Sequence, residues 1–296
     1  MPLPAFLALL GVAVLWGSAF PLIKVGLEGL SVPHLTVARH LVASVAFVPF
    51  LLLTGARLRP EPRDVPWFLL LGGTGIFVYH TALNAGELRV SAGATSLIIA
   101  SAPAITALLA RWITGERMPV IGWLGSLTSF AGVALIVLGD SASLRFDPFA
   151  GFVLLSAFAT SLYFVLQRRM FARYKAVEVT AFVTWGGTVP MLAFLPGLPA
   201  DLMDAPLRSL LAAGYIGLFP SAVAYSLFAF AQSRAPTTQV TAMLYSVPVF
   251  SLTLSWWFLG EVPSLLTIIG GAIAIGGIVV VQRARRRAIR GPVPRG

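Results

Sequence analysis

Apolar residues run together in long stretches along this chain, broken by short polar segments. Ten stretches are long enough for a helix to cross the hydrocarbon core of a bilayer, which takes about 20 residues. They lie at roughly 5–26, 32–53, 65–85, 92–113, 120–138, 148–166, 177–195, 207–231, 238–259 and 265–282. Each is apolar on every face, as a span buried in lipid or in a bundle is, and unlike a surface helix. The alternation of membrane strands, in segments of about ten residues, is missing. The pattern predicts an all-α membrane protein with ten transmembrane helices. No segment between them is long enough to fold as a further domain. The first stretch lacks a basic leader and outruns a signal-peptide core, so it reads as a retained helix.

Composition agrees. Of 296 residues, 57% are hydrophobic and 11% charged, where a soluble domain carries about 25% charged. Soluble enzymes, nucleic-acid binders and disordered chains are excluded. The net charge of +10 reads as membrane orientation, because six of the 21 basic residues follow Val281. With the C-terminal tail inside, inside segments hold sixteen Lys and Arg and outside ends hold four: Lys24, Arg89, Arg145 and Arg208. That bias, with an even number of spans, puts both termini in the cytoplasm. The expected location is the bacterial inner membrane. Cysteine is absent, which removes disulfides and thiolate metal sites.

A shift of 145 residues brings the chain onto itself. Ser101, Pro103, Leu109 and Trp112 fall on Ser246, Pro248, Leu254 and Trp257. Gly115 and Glu116 fall on Gly260 and Glu261, and Gly125 and Gly132 on Gly270 and Gly277. The expected division is a five-helix repeat over 1–140, a second over 141–283, and a basic tail over 284–296. Five is odd, so the second repeat enters the membrane inverted. That architecture belongs to secondary transporters, whose substrate site lies between the halves near the midplane. The glycines, with the pairs Gly270/Ala274 and Ala272/Gly276, predict close helix packing.

The motifs resemble the EamA-type transporters of the drug/metabolite transporter superfamily. Leu15-Trp16-Gly17-Ser18-Ala19-Phe20 followed by Lys24 is similar to the family's opening motif, and Arg39 with Ala43-Ser44 to its second span. Ala82-Leu83 through Pro103 to Gly115-Glu116-Arg117, then Gly125 and Gly132, resembles the end of one family domain. Tyr225 through Pro248 to Gly260-Glu261, then Gly270 and Gly277, repeats it. One departure is His40, where the family commonly has an apolar or aromatic residue. The resemblance implies ten helices in two inverted repeats and export of small metabolites or drugs, aromatic amino acids among them.

Ionisable residues within spans are functional candidates by default. All eleven acids sit in loops or at expected helix ends. A site for cationic drugs or a carboxylate proton antiporter would bury one, so the expected substrate is neutral, zwitterionic or anionic, with facilitated export the simpler scheme. Arg39 can bind a carboxylate through its fork; pairing with Glu28 or snorkelling outward are the alternatives. Lys24 reads as a boundary anchor and His34 as an inert interfacial residue. His80 and Asn84 share a face of span three beside Tyr79, lining a cavity or joining two helices by a hydrogen bond. Trp16, Ser101, Tyr163, Gln167, Trp185, Tyr225, Met243 and Tyr245 complete the expected substrate lining, since pockets combine aromatics with a few polar groups. Pro103 and Pro248 interrupt their spans as hinges or static bends. Glu116 and Glu261 are expected to hold amides at the start of the next helix.

No hydrolase, metalloprotease, P-loop or metal-ligand pattern is present. The chain is therefore expected to be no enzyme, to need no cofactor or metal, and to work as a monomer in the lipid bilayer on a small-molecule substrate, without nucleic acid. The expected function is alternating-access export of small organic metabolites, most simply amino acids or similar zwitterions. Xenobiotics, nucleotide-sugar or lipid precursors, and a non-transporting assembly role remain open at this stage.

Overall fold

The computed structural model describes residues 2–113, 115, 119–140, 147–232, 234 and 243–289. Among these, nine helices are long and apolar enough to span a membrane: α1 (Leu3–Leu27), α2 (Val32–Leu53), α3 (Pro62–Gly86), α4 (Ala92–Ile113), α5 (Val120–Asp140), α6 (Pro148–Ala172), α7 (Ala176–Phe194), α8 (Leu207–Phe228) and α10 (Leu265–Ala284). Between α8 and α10 lies a shorter apolar helix, α9 (Leu244–Leu259). The start of the expected ninth span lies outside the described residues, as does Glu116. No strand occurs among the described residues.

Local sequence sets the helix starts. Ser31, Ser91 and Asp147 cap α2, α4 and α6, each accepting a hydrogen bond from a first-turn amide. A proline follows Ser31 and Asp147 in the first turn, where a missing N–H costs nothing.

Two kinds of interruption recur at the offset of 145. The first is a π-helical turn, over Gly73–Val78 in α3 and Phe219–Val223 in α8. The second is a break at Ser101 in α4 and Ser246 before the main part of α9, with nearly the same backbone angles (φ −79°, ψ −11° and φ −79°, ψ −15°). Both serines donate to the carbonyl three residues back. The expected kinks at Pro103 and Pro248 are therefore breaks two residues earlier. Each proline opens the second helical piece, where its ring clashes with nothing.

Helix pairing carries the same symmetry. α1 packs on α8 and α9, and α6 packs on α3 and α4. α2 packs on α8, and α7 on α3; α2–α7, α4–α9 and α5–α10 pair across the two halves. Ion pairs gather at the two ends of the bundle. One end holds Lys24–Glu261 and Arg208–Glu28. The other holds Arg173 with Asp64 and Glu61, and the Glu178 carboxylate on the amides of Arg57 and Lys175. His34, expected to be inert, instead ties the start of α2 to Asp201 and to the Pro196 carbonyl. Its hydrogen bond holds the Asp201 carboxyl below the usual carboxylate range.

The α5–α10 contact rests on glycine. A Cβ on Gly132 would strike the backbone of Gly270 and Ala274, and one on Gly277 the backbone of Gly125 and Ser129. The pair Ala272/Gly276, expected to pack likewise, faces outward. Gly277→Ala should therefore lower the unfolding temperature in detergent, overpacking costing about 1–3 kcal/mol. Gly276→Ala has open space and should be neutral or gain up to about 1 kcal/mol. Equal effects at the two positions would contradict this packing.

Candidate functional site

α2 and α3 bring an unusual set of polar side chains into the interior. On α3, His80, Asn84 and, one residue past its end, Glu87 recur at helical spacing, and all three are buried. α2 answers with Thr36, Arg39 and His40, also buried. The rings of His40 and His80 meet edge to face at 4.4 Å. Each ring donates from Nδ1 to the carbonyl four residues back, Thr36 and Ile76. Asn84 donates to the Thr36 hydroxyl at 2.8 Å. The expected alternative of an interhelical hydrogen bond is therefore met by Asn84, although its Oδ1 has no partner among the described residues.

Arg39 does none of what a structural arginine would do here. Glu28 is taken by Arg208, and the guanidinium is 3% exposed, so it does not snorkel. Nη2 reaches the Ser221 hydroxyl of α8 at 3.5 Å, the limit of a hydrogen bond. Nε and Nη1 are buried with no hydrogen-bond partner among the described residues. Tyr79, Glu87 and Tyr225 lie close enough to act on it electrostatically.

Across from Arg39, the Trp16 ring of α1 packs edge-on against Tyr225 at 5.1 Å. Its Nε1–H donates to the Pro220 carbonyl at 3.0 Å, in the π-helical turn of α8, where the altered ladder frees acceptors. Tyr163 of α6 lies against Gly75 in the matching turn of α3. The structure thus gathers Trp16, Arg39, Tyr79, Tyr163 and Tyr225 from five helices of both halves.

Other expected lining residues sit elsewhere. Trp185 donates to the Ser44 carbonyl and packs on Phe182 between α2 and α7. Ser101 is spent on its own helix break. Gln167 lies buried where α6 tightens into its last turns. Met243 packs with Leu227, Phe228 and the start of α1, and Tyr245 is half-buried in the tight turn that opens α9. Arg39, Tyr79, Tyr163 and Tyr225 are buried or half-buried; an open cleft of about 500 Å³ lined by Phe50, Val223, Ser226 and Phe230 lies on the α8 side.

At the Lys24 end the bundle is tied shut. Glu261 pairs with Lys24 at 3.4 Å and accepts from the Ala92 amide at 2.9 Å. Glu261 therefore holds a helix start, as expected, but that of α4 rather than of α10. Gly17 lets α1 lie on α9, since a Cβ there would strike Phe250 and the α9 backbone.

Sequence reasoning missed three residues. Ser221 and Thr36 gave no signal, being hydroxyls among many. Glu87 did: it continues the His80–Asn84 face by three residues. Glu87 does lie at a helix end, as expected of every acid, but the inference that no acid is available to an interior site is corrected here: Glu87 is 1% exposed, and neither carboxylate oxygen has a hydrogen-bond partner among the described residues.

A family model described as the EamA-like transporter family matches residues 3–138 and again residues 149–283. The chain belongs to the EamA-like transporter family. It is similar to the transporter YdfC of Bacillus subtilis (strain 168), 40% identical over 264 residues, covering 89% of this chain and 86% of YdfC. It is also similar to the "Probable terminal-alkyne amino-acid exporter" of Streptantibioticus cattleyicolor, 38% identical over 288 residues and 96% of each chain. A crystal structure 21% identical overlays with a TM-score of 0.65, covering 95% of this chain and 98% of its own, and shares the fold. This EamA-like protein is a multi-pass membrane transporter, not an enzyme.

Thr36→Val should cost about 1–3 kcal/mol, because it strands the Asn84 amide donor. The double variant Thr36→Val, Asn84→Leu should lose less than the single one in thermal unfolding. A double variant at least as unstable as Thr36→Val would contradict the pairing.

Proposed function

We propose that this transporter exports small organic metabolites, with amino acids the best-supported class, by alternating access between two inverted five-helix repeats, 1–140 and 141–283. The observation that carries the reading is Arg39: a buried guanidinium with two nitrogens unpartnered among the described residues, within electrostatic reach of Tyr79 and Tyr225, with Trp16 packed on Tyr225, where the halves meet. An unpaired charge there is costly and fits a site that a substrate carboxylate completes through the guanidinium fork. The aromatic walls suit an apolar side chain. The named amino-acid exporter among the relatives supports both the class and the direction.

The matched interruptions and helix pairings support ten spans in two inverted halves. The excess of Lys and Arg at the Arg173 end supports a cytoplasmic location for that end and for both termini. On that orientation the Lys24–Glu261 tie closes the outer side. The bacterial inner membrane is the location that follows.

The test is efflux from loaded proteoliposomes of propargylglycine, a terminal-alkyne amino acid, alongside the proteinogenic amino acids, read by mass spectrometry. Arg39→Ala should slow efflux at least about tenfold, the scale of a lost charged hydrogen bond, and Arg39→Lys should fall between. The exposed Arg59→Ala serves as the unaffected control. Efflux no faster than from empty liposomes across the panel, or an Arg39→Ala rate equal to wild type, would overturn the reading.

A further inference from the structure

Glu87 is a buried acid that nothing in the fold uses. It follows α3 by one residue, in the turn to α4, and its two oxygens accept no hydrogen bond among the described residues. The charged groups acting on it come from three elements: Lys24 of α1, Arg39 of α2 and Glu261 after α9. Tyr79 of its own helix lies within electrostatic reach. Lys24 is engaged by Glu261. Arg89, two residues on, stacks over the Phe149 ring of α6. Asp140 of α5 is occupied by the amide and hydroxyl of Ser91.

A carboxylate without hydrogen bonds in a dry site is far more costly than the neutral acid. Burial accordingly pushes the Glu87 carboxyl well above the usual carboxylate range. A structural acid would be capped or paired, as Glu178 and Glu261 are. Two orphaned groups of opposite kind remain in one enclosed region, the Arg39 guanidinium and the Glu87 carboxyl. That is the complement of a zwitterion, one end for a carboxylate and the other for an ammonium.

We propose that Glu87 is the ammonium-binding group of the site and exchanges a proton for the substrate's ammonium. This rests on the amino-acid export reading above. With the site empty, Glu87 carries a proton. When the substrate's ammonium arrives from the cytoplasm, the Glu87 O–H bond breaks, the carboxylate forms an ion pair with the ammonium, and the proton leaves to cytoplasmic water. When the ammonium departs outside, Glu87 takes a proton from that side. Each turnover moves one ammonium out and one proton in. Acid outside therefore favours export, and alkaline conditions outside slow it.

Two readouts test this. The first needs no substrate: infrared difference spectra of wild type against Glu87→Gln at neutral pH. A protonated-carboxyl band present only in wild type is expected; its absence overturns the proposal whatever is transported. Glu87→Asp, which keeps the acid and should keep such a band, guards against misfolding of the glutamine variant. The second adds propargylglycine. The band should bleach in wild type, and should survive addition of the same molecule without its amino group. Efflux of propargylglycine with the band unchanged, or efflux as sensitive to outside pH in Glu87→Gln as in wild type, overturns the exchange while leaving the export reading intact. Absence of efflux for the whole amino-acid panel sinks the export reading instead, and the exchange falls with it.

Discussion

A chain surrounded by lipid must satisfy its polar groups from within, and that constraint organises this molecule. Most interior hydroxyls meet it locally. Thr36, Thr74, Ser96, Ser126, Ser161 and Thr188 each donate to a carbonyl three or four residues back in their own helix. Where the helix ladder is interrupted, another helix supplies the partner, as Trp16 does at Pro220 and Ser161 at the Ala102 carbonyl beside the α4 break. Against that background the orphaned groups on α2 and α3 stand out. Among the described residues, Arg39, His40, Asn84 and Glu87 each keep at least one buried polar atom unpartnered. Such a concentration is expected at a functional site and costly anywhere else.

The repeat gives this site its setting. Each half supplies a helix with a π-helical turn, α3 and α8, and a helix with a break, α4 and α9. Helix irregularities of these kinds are where packing can switch between discrete arrangements. The ties at the two ends of the bundle are not symmetric in chemistry. Lys24 maps by the offset of 145 onto Arg169. Lys24 is held by Glu261, whereas Arg169 stacks over the Trp67 ring at 3.1 Å.

Much of the fold was legible in the sequence because apolar length and small-residue spacing determine it directly. Nine of the expected spans, the repeat offset and close packing at Gly125, Gly132, Gly270 and Gly277 follow from those alone, whereas the meeting of the two glycine faces across α5 and α10 comes from the structure. Interruptions were harder to place: proline marked the neighbourhood of Ser101 and Ser246, but the break falls where the serine turns the chain. The site was legible only in part. Trp16, Arg39, Tyr79, Tyr163 and Tyr225 converge, while Trp185 and Met243 are aromatic or soft residues of the same kind spent on packing. Residue type does not carry that distinction; only neighbours do. Glu87 was misjudged because position at a helix end was equated with access to water, and here the turn after α3 packs against α6, with Val153 and Phe149 against Gly86 and Arg89 over the Phe149 ring.

The central claim is that the Lys24 end is one state of a gate and not a fixed seal. The chain has no cysteine, so spin labels at Glu28→Cys and Val262→Cys report the separation of the ends of α1 and α9 without background. Pulsed electron–electron distance measurement in lipid nanodiscs tests the claim most directly. Two distance populations are predicted, with their ratio shifted by an amino-acid substrate. A single short distance, unchanged by every amino acid and by pH, would contradict the account.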